Sequence, residues 1–332
     1  DRSGKPFSGN GEAQLVLPVA GIRRNQAPGG VAAYRLPVPD AALLLCQAAR
    51  HFLLKGRLVP NQRRIQFNKN NVLPFPEPAQ LPGGFVRVGT HHDDSAVGGF
   101  LLNYIRAGGE CLNRLWVNVG TTDFSSVIAQ IPSDAEAIYV ALGGSDAINF
   151  INQFHDYGLD LPILGGSITV DTTILASDAG YLLEGVYAGS HYAQVLPYEE
   201  FKTFDTNFLD RFGRASSLFA ADYYIGSLVA IKSLEAVNAD LSDLQAYWQA
   251  ILDVKFDSPR GPFSFDEYHN VVEDVYITQV QKVDDELRNV VYKTYENQTQ
   301  FGPYDPDWYQ SQPSFDRENP TLESIQNAVL AQ

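Results

Sequence analysis

The chain has 332 residues, 45% hydrophobic and 19% charged, which is enough for two domains with a large core. It contains no run of about 18 apolar residues that would span a membrane as a helix. The net charge of −15 argues against nucleic acid as a partner.

That charge is uneven. Residues 1–120 carry 14 Lys and Arg against 7 Asp and Glu, and the remainder carry 10 against 32. The basic clusters GIRRNQ and NQRRIQ are short and read as solvated surface. Cys46 and Cys111 lack metal-site spacing. They read either as a pair joined in an exported protein or as two buried thiols. No signal peptide is visible, which decides nothing, because a mature secreted protein would have lost it. Methionine is absent, so the sequence is expected to be an incomplete natural chain.

In chain order, RSGKPFSGNG is a Gly-rich loop with no strand before it. LVLPVAGIRRNQ and AALLLCQAARHFLL read as helices, and NVLPFPEPAQLPGG as a Pro-rich loop or edge. FVRVGT is a strand and GFLLNYIRAGG a helix with a glycine stop. From Leu115 the pattern is clearer. LWVNV is a strand, and TTDFSSVIAQI is an amphipathic helix opened by a Thr/Asp cap. AEAIYVAL is a strand apolar on both faces, as in a parallel sheet. DAINFINQFHDYGL is a helix closing at Gly158. LPILGG is a strand, TTILAS lies in a helix, and EGVYAGSHYA is a strand. FKTFDTNFLDRFG and SSLFAADYYIGSLVAIKSLEAVN have helical periodicity. This alternation of strand and helix predicts an α/β fold with a doubly wound parallel sheet. Ligands in such sheets bind at the carboxyl ends of the strands, where GGS at 143–145, GGS at 165–167 and GSHY at 189–192 fall.

FDSPRGPFSFDEYHN is too rich in Pro, Gly and aromatics for a helix. SPRG reads as a turn, FSFD as a short strand, and EYHN as a turn before the strand VVEDVYITQV.

Catalytic signatures are missing. There is no nucleophile elbow, Walker loop, or GxGxxG on a strand–turn–helix unit, so no enzyme activity and no cofactor are expected. His91 and His92 with Asp93 and Asp94 could ligate a metal. Adjacent histidines on a strand point to opposite faces, however, so a polar loop is the preferred reading. His191 reads as a ligand-facing or hydrogen-bonded histidine. Asp146 reads either as a helix N-terminal carboxylate favoured by the dipole or as a pocket wall.

GTTDFSSVIAQI, AIYVALGGSDAINFINQ, LPILGGSITVD and EGVYAGSHYA run in the order seen in type I periplasmic binding proteins. FDSPRGPFSFDEYHNVVEDVYITQV and NVVYKTYENQTQFGPYD resemble that family's C-terminal segment. The chain is similar to the branched-chain amino-acid and aromatic-acid receptors of ABC transporters, over about Gly89 to Asp305. The N-terminal part matches in fragments. By family standards its first strand and several dozen residues are absent.

The resemblance implies two doubly wound lobes with a hinge, the first lobe abridged. The expected limits are 1–112 for the N-terminal lobe, 113–255 for the C-terminal lobe, and 256–332 for the hinge crossover and C-terminal segment. It implies an extracytoplasmic monomer, periplasmic or a lipoprotein, that passes a small carboxylated ligand to an ABC permease. A cytoplasmic ligand sensor on the same fold, like the amide sensors, is the alternative. The ligand residues implied are Asn10, Gly143, Gly144, Ser145, Asp146, Ser167, Ile168, His191 and Tyr192. In amino-acid receptors of the group a second-lobe carboxylate holds the ligand ammonium, and its position aligns with Ser167. Serine cannot neutralise an ammonium in a closed cleft, so Asp146 or Asp171 must substitute, or the ligand lacks that group. An organic or aromatic acid then fits, with Tyr192 and Phe7 as stacking candidates.

Overall fold

The computed structural model describes residues 84–90 and 94–313, together with 321, 323–324 and 327–328. Asn10, Phe7, Cys46, His91, His92 and Asp93 lie outside them.

A nine-stranded sheet organises the described residues. Its parallel half contains β1 (Gly84–Thr90), β2 (Glu110–Val117), β3 (Ala135–Ala141), β4 (Ile163–Gly165) and β5 (Tyr187–Ser190) in the spatial order 2-1-3-4-5. This is a doubly wound order with its reversal between β1 and β3. The connections are α1 (Asp94–Arg106), α2 (Ser125–Ile128), α3 (Gly144–Asp156) and α4 (Thr172–Leu175).

The two faces of β3 explain why it is apolar throughout. Ile138 and Val140 point into a core with Phe150, Ile151 and Phe154 of α3. Ala137, Tyr139 and Ala141 point the other way, into a core with Phe100, Leu101 and Tyr104 of α1. Alternate side chains of a strand take opposite faces, so a strand covered on both sides needs apolar residues at every step. Tyr139 stacks on Phe100 with ring centroids 4.3 Å apart.

The limit expected between residues 112 and 113 falls inside β2, and β1 pairs with both β2 and β3. Residues 84–112 therefore share a sheet with the segment that follows them. The physical cause is the doubly wound order, which places β1 in the interior of the sheet. The helix expected over TTDFSSVIAQI is only four residues long, α2. Its Thr and Asp residues form the loop before it, where the Asp123 carboxylate accepts from the Ser125 N–H.

Beyond β5 the chain forms α5 (Glu199–Phe212), α6 (Leu218–Ala236) and α7 (Leu244–Leu252). Gly213 ends α5 in the left-handed conformation, φ +67°. The first part of α6 joins a third core with Tyr192, Phe201, Phe204 and Tyr276. A hairpin of β6 (Phe256–Ser258) and β7 (Gly261–Phe265) leads to β8 (Val271–Val283) and β9 (Glu286–Gln298). β8 lies antiparallel to β5, β7 and β9. Helix α8 (Pro306–Ser311) follows, capped by Asp305. No helix among the described residues is long and apolar enough to cross a membrane.

Candidate functional site

Three neighbouring parallel strands end side by side. β3 runs out at Leu142–Gly143, β4 at Gly166–Ser167 and β5 at Ser190–His191, with Val140 opposite Gly165 and Gly165 opposite Ala188. Strands lie about 4.8 Å apart, so the three strand ends form one continuous edge. The order reversal between β1 and β3 lies at one end of it, where doubly wound sheets hold their ligands.

The structure brings most of the expected residues to this edge. Gly143 caps α3, and Gly144 opens it with φ +55°. A Cβ on Gly143 would stand 3.2 Å from Ile168 Cδ1, so the glycine lets the β4 loop close against the β3 loop. Ser145 is exposed in the first turn of α3, whereas Ser167 and Ile168 are half-buried in the turn after β4. The Ser167 hydroxyl makes no hydrogen bond among the described residues.

Three other expected residues are engaged in the scaffold. Asp146 is buried, and its Oδ2 accepts from the Gly120 N–H at 2.9 Å, tying α3 to the loop after β2. Asp171 caps α4 through Oδ2, which accepts from the Thr173 N–H, while its Oδ1 accepts from the Leu218 N–H at the start of α6. Tyr192 is 3% exposed and packs near Phe201. The Ser216 hydroxyl donates to Asp205, so the Tyr192 hydroxyl must be the donor in its 2.6 Å contact with Ser216 Oγ. Burial pushes the Tyr192 hydroxyl pKa up and keeps it neutral. Asp171→Ala should therefore cost about 2 kcal/mol, one cap plus one buried N–H left unmade. Denaturant unfolding measures this, and a loss below about 0.5 kcal/mol would contradict the double-cap role.

His191 sits at the head of a charged cluster that local sequence patterns do not reveal. Its Nε2 lies 3.3 Å from Asp222 Oδ1, on α6. Arg260 Nη1 donates to the same oxygen at 2.7 Å, and Arg260 Nη2 lies 2.8 Å from Glu273 Oε2 on β8. Arg260 occupies the β6–β7 turn, where Tyr276 donates to its carbonyl. Burial drives the Asp222 carboxyl pKa up, but the hydrogen bond and charge of His191 and the charge of Arg260 outweigh it. The net result is a pKa below the usual carboxylate value. One signal for this cluster was present: Asp222 is the only charged residue in the first half of an apolar helix. Its partners lie 31 and 38 positions away.

The periplasmic binding protein family model matches residues 95–285. The chain belongs to the periplasmic binding protein family. A similar solved structure is the ABC transporter substrate-binding protein from Sphaerobacter thermophilus. It is 25% identical, with a TM-score of 0.60, over 65% of this chain and 61% of that one. Another is a solute binding protein of an ABC transporter from Rhodopseudomonas palustris BisB5, in complex with 3,4-dihydroxybenzoic acid. It is 24% identical, with a TM-score of 0.61, over 66% of this chain and 61% of that one. A leucine binding protein from Thermotoga maritima MSB8 shares the fold at 19% identity and a TM-score of 0.54, over 64% of this chain and 60% of that one. This binding protein thus spans about three fifths of the length of these relatives.

Proposed function

We propose that this binding protein is the ligand-capturing component of an ABC importer. It acts outside the cytoplasm as a monomer without catalytic chemistry. It takes a small carboxylated solute that lacks an ammonium group, an aromatic or organic acid, at the edge formed by the ends of β3, β4 and β5. From there it presents the solute to a membrane permease.

One observation carries the choice of ligand. Serine stands at position 167, which the resemblance aligns with the ammonium-binding carboxylate of the group's amino-acid receptors. Asp146 and Asp171, the two carboxylates that could replace it, are committed to backbone N–H groups. Asp222 and Glu273 share the Arg260 guanidinium. A cationic ligand would thus meet no unpaired carboxylate among these residues, and a buried ammonium without one is costly. The Rhodopseudomonas relative, with its bound 3,4-dihydroxybenzoic acid, supports the same class. Gly143, Gly144, Ser145, Ser167, Ile168 and His191 are the proposed contacts.

Thermal denaturation with benzoate-type acids and with leucine tests this reading. Saturation at about 100 times Kd adds roughly 2.7 kcal/mol of stability, so an aromatic acid should raise the Tm measurably and leucine should not. A shift with leucine alone would overturn the ammonium-free reading. No shift with either panel would count against a solute-binding role.

A further inference from the structure

The geometry points to His191 as the residue that selects ligands carrying an aromatic hydroxyl, by presenting Nδ1 as a hydrogen-bond acceptor that Asp222 holds in place. The inference rests on the aromatic-acid reading above and assigns it a specificity element.

The argument begins at the carboxylate. Asp222 Oδ1 lies 2.7 Å from Arg260 Nη1, and the Arg260 side chain is 7% exposed. A carboxylate oxygen in so close a contact with a guanidinium is ionised and can only accept. The His191 Nε2 contact to that oxygen therefore requires the proton to sit on Nε2. In a neutral imidazole one nitrogen donates and the other accepts, so Nδ1 is left with its lone pair outward. Nδ1 makes no hydrogen bond among the described residues and is not among their buried unsatisfied atoms.

Position gives the lone pair its use. His191 directly follows the last residue of β5, one strand from the loop that carries Ser167. A fixed acceptor at this edge rewards a neutral donor on the ligand and disfavours a second carboxylate. On an aromatic acid that donor is a ring hydroxyl. A site built to hydrogen-bond a hydroxyl rejects the analogue lacking it, because its own polar group is then left unmatched. Asp222 acts through His191 and is a positioning residue. Arg260 in turn keeps Asp222 charged, and the 2.8 Å contact with Glu273 holds Arg260 from the other side.

Calorimetric titration of the full chain with 4-hydroxybenzoate and with benzoate tests the proposal. The hydroxy acid should bind about five- to tenfold more tightly, the size of one neutral hydrogen bond. In His191→Phe the ratio of the two dissociation constants should fall toward one, whatever happens to either affinity alone. Equal wild-type affinities, or a preference that survives in His191→Phe, would overturn hydroxyl selection while leaving the aromatic-acid reading intact. Binding of neither acid by the folded wild type would overturn both. Nitrogen-15 NMR of the wild-type imidazole, without any variant, should show the proton on Nε2 and none on Nδ1 at neutral pH. In Asp222→Ala the spectrum should become a mixture of tautomers, and Asp222→Glu should restore the single form. A proton on Nδ1 in the wild type would overturn the assignment directly.

Discussion

Replacing Arg260 with methionine should cost about 3 kcal/mol of stability, because the two carboxylates it joins would remain without their counter-charge. Met nearly conserves the side chain's length, so cavity formation contributes little. The cost comes mainly from Glu273, whose side chain is 15% exposed, whereas Asp222 at 37% retains solvent. The value therefore belongs at the low end of the range for breaking a buried pair. Combining Arg260→Met with Glu273→Gln should recover part of the loss, since the amide carries no charge to strand. Denaturant unfolding of the two variants checks both statements. A loss below about 1 kcal/mol in the single variant would mean that the cluster is solvated and contributes little to the fold. The same variant removes one of the groups that favour the ionised form of Asp222, so it should also weaken the hydroxyl preference.

Gly261→Ala is the second large effect, also expected near 3 kcal/mol. Gly261 follows Arg260 in the β6–β7 turn with φ +104°, a conformation that L residues rarely adopt. Holding a non-glycine residue there costs about 1–3 kcal/mol. A Cβ would also stand 2.9 Å from Tyr198 Cζ and 3.0 Å from its hydroxyl oxygen. That ring cannot easily withdraw, because its hydroxyl donates to Asp274 Oδ2 at 2.7 Å and its oxygen lies 3.3 Å from the Tyr276 hydroxyl, which the Arg260 carbonyl holds in place. Overpacking of this kind adds about 1–3 kcal/mol. Unfolding midpoints of Gly261→Ala and of Gly261→Ala with Tyr198→Phe separate the terms. If freeing the Tyr198 ring recovers nothing, backbone strain alone carries the cost.

The parallel half of the fold was legible because its signals are local. AEAIYVAL is apolar at every step since both faces of β3 are covered, and DAINFINQFHDYGL shows the helical spacing of Ala147, Phe150, Ile151 and Phe154 in the core. Turns also read correctly: SPRG closes the β6–β7 hairpin, with Ser258 opposite Gly261. Packing roles for Phe263, Phe265 and Tyr268 follow from their ring contacts with each other, with Phe256 and with Phe301. The short helix α2 was overextended because a capping signal and an apolar period do not fix where a helix stops. That the limit expected at 112 falls inside β2 has a different reason. Nothing in FVRVGT says which sheet it joins, since parallel pairing is decided by partners dozens of residues away.

The candidate site divides along the same line. The glycine-rich strand ends were legible from their βα turns, whereas Asp171, read as a possible partner for a ligand ammonium, caps α4. The cluster of His191, Asp222, Arg260 and Glu273 was not legible, because four elements distant in sequence supply one residue each. Likewise Tyr192, a plausible stacking residue by type and place, turns inward because Ser216 and Asp205 give its hydroxyl a buried partner.

The placement of β8 has a consequence for how the molecule comes apart. Its residues Tyr276–Gln279 are bonded to β5 on one side and lie within the β9 ladder on the other. Fraying of either neighbour leaves the other ladder in place, so opening this stretch requires loss of the whole sheet. Its amide protons therefore belong among the slowest to exchange with solvent. The three-residue strand β6, paired only with β7, belongs among the fastest of the sheet. The turn that carries Arg260 is thus joined to the loosest strand, β6, and bonded through its carbonyl to Tyr276 of the firmest. The β6 side of that turn can open locally while the Tyr276 bond and the end of β5 at Ser190 stay closed.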